Sequence, residues 1–244
     1  MPDITDIFRQ YGSTYLARFG TGILPSHRKA IEDIVNCRTS SRHGFVTTCP
    51  NCELQEFHPF SCYNRACPSC HEAKRHRWLE KHRADALPGV TYFHAVFTLP
   101  SEFRNFARSH QVKFLPVLFH AAIGALNKLA GDPRHLGGKI GALAVLHTWT
   151  RTLGYHPHLH MLIPGIALMP DASFKKKDSF LVPLNILRQL FRAKFITRLK
   201  QTFPNERLPY IPHGKKWNVA YSGASGQLFR TALDTDSVLN WTAE

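Results

Sequence analysis

The chain is short of acid. Its 244 residues hold 17 Asp and Glu against 31 Lys and Arg, a formal net charge of +14 at pH 7 and a pI near 9.8. A surface so poor in carboxylates gathers polyanions, which makes nucleic acid the default partner. Net charge speaks only to non-specific association, so a generically basic soluble protein is the competing reading. Long apolar runs are missing as well: no stretch of 18 residues reads as a membrane span. The start, Met1-Pro2-Asp3-Ile4-Thr5-Asp6, is acidic and lacks the apolar core of a secretory leader. The expectation is an intracellular, cytoplasmic protein. There is no cysteine after Cys70, no internal repeat and no low-complexity tract. With 43% hydrophobic residues, the chain can bury the core of one or two domains.

What the sequence does have is concentrated. All six cysteines lie between Cys37 and Cys70, and four form the pairs Cys49-Pro50-Asn51-Cys52 and Cys67-Pro68-Ser69-Cys70. Each Cys-x2-Cys turn can set two thiolates on one tetrahedral Zn²⁺, and two such turns close a structural site with Cys49, Cys52, Cys67 and Cys70 as ligands. A disulfide framework is the weaker competitor in a reducing compartment. Cys37, His43 and Cys62 are left over and suggest a second zinc, with His58 or His71 as a fourth ligand. Next comes Glu72 to Arg83, rich in Lys, Arg and good helix formers. Lys74, Arg75 and Arg77 are its candidate phosphate contacts, and a solvated helix face is the alternative. Pro88-Gly89 breaks the pattern and sets a domain boundary, closing a first domain over 1–88.

Beyond the break, Val90 to Leu99 is β-branched and aromatic and stops at Pro100, which reads as a core strand. A helical stretch from Ser101 to Leu129 comes next, then turn material at Gly137 to Gly141. Ala142 to Trp149 reads as a second strand, antiparallel to a third that contains Tyr155-His156-Pro157-His158-Leu159-His160-Met161-Leu162-Ile163. On a strand, residues i and i+2 share a face, so His158 and His160 can hold one divalent cation while Leu159 points into the core. A half-buried strand with incidental histidines is the plainer alternative. Pro183 to Phe203 patterns as an amphipathic helix with Leu184, Leu187, Phe191 and Phe195 inward and Arg188, Arg192, Arg198 and Lys200 outward.

Taken in order, these segments resemble a known family. A cysteine-rich module running into Arg77-Trp78-Leu79, then Tyr92 to Pro100, Ala144 to Trp149 and His156 to His160, is similar to the insertion-sequence-91-type rolling-circle transposases. These are bacterial HUH (His-hydrophobe-His) nucleases with an N-terminal zinc-binding domain. Leu190 to Phe195 and Trp217 are also similar. The resemblance implies an α+β fold, with the zinc module leading into an antiparallel, ferredoxin-like sheet flanked by helices. It implies that His158 and His160 hold Mg²⁺ or Mn²⁺. His147 is a further ligand if the two strands pair in register, but a core histidine is the favoured reading, and His156 is a support whose geometry Pro157 disturbs. The partner would be DNA, as single strands or hairpin ends, and the protein would sit on the nucleoid while bound to it. The chemistry would be nicking and joining through a 5′-phosphotyrosine.

The departures from the pattern also count. The family's nucleophiles come after the histidine motif as a Tyr-x3-Tyr pair, whereas only Tyr210 and Tyr221 come after it here. The one Tyr-x3-Tyr pair, Tyr11 and Tyr15, precedes the zinc module and reads as one face of an amphipathic helix. From about Ser222 the chain no longer resembles the family, so the expected organisation is 1–88, an incomplete catalytic domain over 89–221 and a divergent tail over 222–244. A frameshift or early stop is the simplest account, and a relic that keeps zinc and DNA binding but lacks its nucleophile stands beside the active transposase. Phe60 and Ala66 occupy places where family histidines are expected, which weakens the second zinc. A sequence-specific zinc-module regulator is the remaining class.

Overall fold

The computed structural model describes residues 4–224 apart from 151, 153, 180, 181 and 216, with the backbone alone at 73 and 221–224. The chain divides into two compact units, Met1–Ala86 and Leu87–Glu244, the division falling just before Pro88-Gly89.

In the first unit, helices α1 (Ile4–Phe19) and α2 (Pro25–Val35) precede a hairpin of β1 (Gly44–Thr48) and β2 (Gln55–Pro59), and α3 (Pro68–Ala84) closes it. The α1 and α2 helices meet at Gly12, where a Cβ would come within 3.1 Å of the Val35 Cγ2. The face α1 buries is Thr5, Phe8 and Gly12, not Tyr11 and Tyr15, which are 56% and 48% exposed. The amphipathic tyrosine face expected from the sequence is therefore the solvent side. The apolar core here is small, formed by Ile34, Cys37 and Cys67 with Phe8, Cys62 and Cys70 packed on it. A core of this size does not hold a fold alone, and metal is the usual supplement. Asp33 braces it: its carboxylate pairs with Lys29 and Arg42 and accepts from the Asn64 amide at 2.9 Å, tying α2 to the loop between Cys62 and Cys67.

The second unit is α+β. Its elements are β3 (Tyr92–Thr98), α4 (Arg104–Ser109), α5 (Gln111–Ala130), β4 (Leu143–Trp149), β5 (Tyr155–Pro164), a small ribbon of β6 (Ile166–Leu168) and β7 (Phe174–Lys176), α6 (Leu184–Thr202) and β8 (Asn218–Ala224). The sheet order is β4-β5-β3-β8 with every pairing antiparallel. Counting β3, α5, β4, β5, α6 and β8 in chain order gives a β-α-β-β-α-β unit in the order 4-1-3-2, the ferredoxin-like arrangement. Strand β8 pairs with β3 through Ala224, so the sheet continues past Ser222, where the resemblance was expected to end.

Residues alternate between the two faces of the sheet. Phe93, Ala95 and Phe97 of β3, Leu146 of β4, and Leu159, Met161 and Ile163 of β5 are buried in one core with Phe114, Leu118, Phe191 and Phe195 from α5 and α6. Rings lock the layers, with Phe97 and Phe191 centred 5.0 Å apart and Phe195 and Trp217 5.5 Å apart. The helical stretch expected from Ser101 to Leu129, whose breaks the sequence left open, divides at His110 into α4 and α5, and Pro116 sits within the first turns of α5. Helix α5 is also long and apolar enough to cross a membrane by length and composition, contrary to the expectation that no such stretch exists. Ten of its residues are buried in the core just described, which accounts for its composition.

Candidate metal centres

The face of the sheet opposite that core carries histidines. His156, His158 and His160 fall on alternate residues of β5, and β4 places His147 directly across from His158. Side chains paired across antiparallel strands stand about 4.5–5.5 Å apart at Cβ, so register alone brings the third imidazole to the other two. The rings of His147 and His160 stack with centroids 3.9 Å apart, and one ring nitrogen from each of His147, His158 and His160 lies within 4.8 Å of the others. His147 thus joins the pair expected from the strand motif. Backbone supports one member: His158 Nδ1 bonds the His156 carbonyl at 2.7 Å, which leaves its Nε2 for a cation. His156 acts through that carbonyl, while its own ring takes a long 3.4 Å bond from Arg104 Nε. His94 of β3 was not singled out in the sequence, and its Nε2 stands 3.0 Å from His160 Nδ1. The signal was present in the alternation of β3, where Phe93, Ala95 and Phe97 take the core face and leave His94 on the other.

The second centre is built from thiols. Cys37, Cys62, Cys67 and Cys70 place their sulfurs within 4.8 Å of one another, Cys37 and Cys70 at 3.4 Å and Cys62 and Cys70 at 3.5 Å. Four sulfurs about 2.3 Å from a tetrahedral zinc stand about 3.8 Å apart, so the set fits one Zn²⁺ with no open position. Cys37 and Cys67 are 1% and 0% exposed. The expected grouping was Cys49 and Cys52 with Cys67 and Cys70; the structure instead brings Cys37 and Cys62 to Cys67 and Cys70. The reason lies in the hairpin: its base, where Gly44 faces Pro59, collects Cys37 and Cys62, and its five-residue strands carry Cys49 and Cys52 to a tip about 15 Å away. The expected second set does not assemble either, since Cys37 and Cys62 belong to the first. His43 contributes its carbonyl to Phe60, and His58 bonds Thr47 Oγ1 at 2.7 Å. His71 lies on α3 outside the thiol set, and among the described residues no group of three or more metal-ligating side chains includes Cys49 and Cys52. Phe60 and Ala66 are exposed.

Both units have relatives among known proteins. Residues 7–99 match the model described as "Transposase zinc-binding domain", and residues 141–227 match the model described as "Putative transposase". The chain is 38% identical over 212 residues to "Putative transposase y4qJ" of Sinorhizobium fredii (strain NBRC 101917 / NGR234), covering 86% of this chain and 53% of that protein. It is 28% identical over 156 residues to "Transposase for insertion sequence element IS801" of Pseudomonas savastanoi pv. phaseolicola, covering 60% of this chain and 35% of that one. In both units the chain is similar to transposases, and in the first to the zinc-binding domain of the insertion-sequence-91 type. It spans about half the length of the first of these relatives and about a third of the second. No solved structure gives a significant match.

The electrostatics of the two centres suit cation binding. Burial pushes His160 down to about 3 and His147 down to about 4, with the neighbouring imidazoles adding repulsion. Burial also lowers His158, partly offset by its bond to the His156 carbonyl. The three rings are therefore neutral at pH 7, each with a lone pair to give. In the thiol set, burial raises Cys62 and Cys67. Burial also acts to raise Cys70, yet hydrogen bonds from Cys37 and Cys62 outweigh it and bring this thiol to about 7. A set whose anionic charge is already shared through S–H···S bonds is ready to exchange its protons for zinc.

The remaining residues singled out in the sequence are dispersed. Lys74 and Arg77 are exposed on one side of α3, while Arg75 is half-buried one turn before the buried Leu79 on the other. Tyr210 is exposed in the connection between α6 and β8, and Tyr221 stands opposite Ala95 in β8.

Proposed function

We propose that this chain provides the DNA-binding zinc module and the metal-holding sheet of a nicking-and-joining transposase acting on single-stranded or hairpin DNA in rolling-circle transposition. The observation that carries the reading is the set of three neutral imidazoles on paired strands β4 and β5, in a chain similar to transposases. The donor set favours one of the expected cations. Mg²⁺ favours oxygen ligands and gives up water reluctantly, whereas Mn²⁺ accepts imidazole more readily, so His147, His158 and His160 should prefer Mn²⁺. When bound, such an ion polarises a scissile phosphate and neutralises charge that grows on its oxygens.

The chain's own residues supply the rest. The sheet fixes the three imidazoles without loops, Arg104 adds a cation beside His156, and the excess of 31 Lys and Arg over 17 Asp and Glu draws the strand in. In the family reaction a tyrosine oxygen attacks phosphorus, the 3′-oxygen leaves with its electron pair, and the phosphotyrosine keeps the bond energy for rejoining. The protein would work in the cytoplasm, on the nucleoid.

The test combines two measurements on the full chain. Calorimetry should show one Mn²⁺ bound more tightly than Mg²⁺, with affinity lost in His158→Ala. Incubation with Mn²⁺ and single-stranded DNA from the end of an insertion sequence, and then a denaturing gel, looks for a covalent protein-DNA band. Loss of that band in Tyr210→Phe, in Tyr221→Phe or in the Tyr11→Phe, Tyr15→Phe pair would identify the nucleophile. Wild-type affinity for Mn²⁺ in the His147→Ala and His158→Ala variants would overturn the reading.

A further inference from the structure

We infer that His94 is a positioning residue for the metal centre, accepting a hydrogen bond from His160 Nδ1–H and so presenting His160 Nε2 to the cation. The inference rests on the proposed role of the three-histidine set.

Three observations carry it. First, contact: His94 Nε2 and His160 Nδ1 are 3.0 Å apart, with ring centroids 5.0 Å apart and planes tilted by 38°. Second, register: β3 pairs with β5 so that Val96 faces His160 and His94 faces Leu162, which puts His94 on a diagonal from His160. A side chain as long as histidine reaches that diagonal neighbour, and a short one does not. Third, selectivity: His94 touches His160 but lies outside the set whose ligand atoms converge, so it is placed to orient a ligand and not to be one.

The chemistry fixes the direction of the bond. A neutral imidazole that gives one nitrogen to a metal carries its proton on the other. If His160 offers Nε2, its Nδ1 must bear hydrogen, and the only role left to His94 Nε2 in this bond is acceptor. His94 is then the tautomer protonated at Nδ1. The same logic already holds for His158, whose Nδ1 bonds the His156 carbonyl. One ligand is thus oriented by the backbone of its own strand and another by a side chain from the adjacent strand.

The consequence is testable by shape and by chemistry separately. Gln can place an amide oxygen near the position of a histidine Nε2 and accept the same bond, whereas Leu fills similar space and accepts nothing. In the full zinc-loaded chain, with Mn²⁺ alone as the probe, His94→Leu should weaken Mn²⁺ binding by about 10–100-fold. His94→Gln should recover most of that loss. Nitrogen-15 NMR of the histidine rings in wild-type protein should show His160 protonated at Nδ1 and His94 bare at Nε2, a readout that does not depend on how any variant folds. His160 protonated at Nε2 would overturn the inference, as would wild-type Mn²⁺ affinity in a folded His94→Leu. Equal loss in His94→Gln and His94→Leu, with Mn²⁺ broadening of the His94 ring matching that of His158, would make His94 a ligand and also overturn it. If His147→Ala and His158→Ala bind Mn²⁺ normally, the metal-centre reading itself fails, an outcome distinct from these.

Discussion

Removing one thiolate from a closed zinc shell leaves three ligands and an open position beside a core too small to stand alone. Cys37→Ser should therefore lower zinc content from one ion per chain towards none and loosen residues 4–86. Cys49→Ser, at the hairpin tip, should leave both nearly unchanged. Elemental analysis and hydrogen exchange on the two variants check this, and a larger loss in Cys49→Ser would restore the grouping read from the sequence. The structure groups other thiols than the motif spacing did, for a physical reason. Motif spacing links cysteines that are near in sequence, whereas the hairpin brings together those on either side of it, and Cys37 has no neighbouring cysteine to mark it. The common face of His158 and His160 was legible because a strand fixes which residues share a face. The histidines' depressed pKa values predict a pH response in metal-free protein. An unfolded histidine titrates near 6.5, while His160 and His147 titrate at about 3 and about 4. Above pH 6.5 neither state holds the proton and no stability is at stake. Below it the unfolded chain takes up protons that the folded chain refuses, so stability falls as pH drops from 6.5 to about 4 for His147 and to about 3 for His160. Urea midpoints across that range should decline, and the decline should flatten in the His147→Gln, His160→Gln pair; an equal slope in both would refute the assignment.

At the scale of elements, strands with strict alternation were legible and hairpin consequences were not. Strands β3, β4 and β5 stand where the sequence placed them, and in β3, where one face is buried, the alternation records it. Helix α6 was equally clear, with Leu187, Phe191 and Phe195 buried as patterned and Leu199 added a turn later. The break at His110 and the β6 and β7 ribbon had no comparable signal. Helix α3 carries its own prediction. Lys74 and Arg77 are exposed and Leu79 is buried, so this helix can present cations while staying anchored. Replacing Lys74, Arg75 and Arg77 by Ala should reduce the slope of log affinity for DNA against log salt by up to about 0.7–0.9 for each phosphate the helix no longer neutralises. A slope identical to wild type, measured by fluorescence anisotropy, would make α3 a solvated face.

At the scale of the whole chain, the two units rely on different sources of stability. The second buries a continuous core between its sheet and α5 and α6, including Phe97, Phe103, Phe114, Phe191 and Phe195 at under 2% exposure, and needs no ion to hold it. The first has one small cluster and four thiols that converge on a point, so metal binding there is part of its folding free energy. Three histidines on a hydrogen-bonded sheet should likewise keep their spacing when the thiol site is empty, because strand register and not zinc sets it. Chelation of zinc from the full chain under reducing conditions should therefore open residues 4–86 to hydrogen exchange while β3, β4 and β5 stay protected. Mn²⁺ affinity at the histidines should change by less than about threefold, since no step in their positioning passes through the thiols. Calorimetry on the zinc-free, reduced protein reads the second quantity directly. Loss of protection in both units together, or loss of Mn²⁺ binding along with zinc, would show that the zinc module supports the sheet after all.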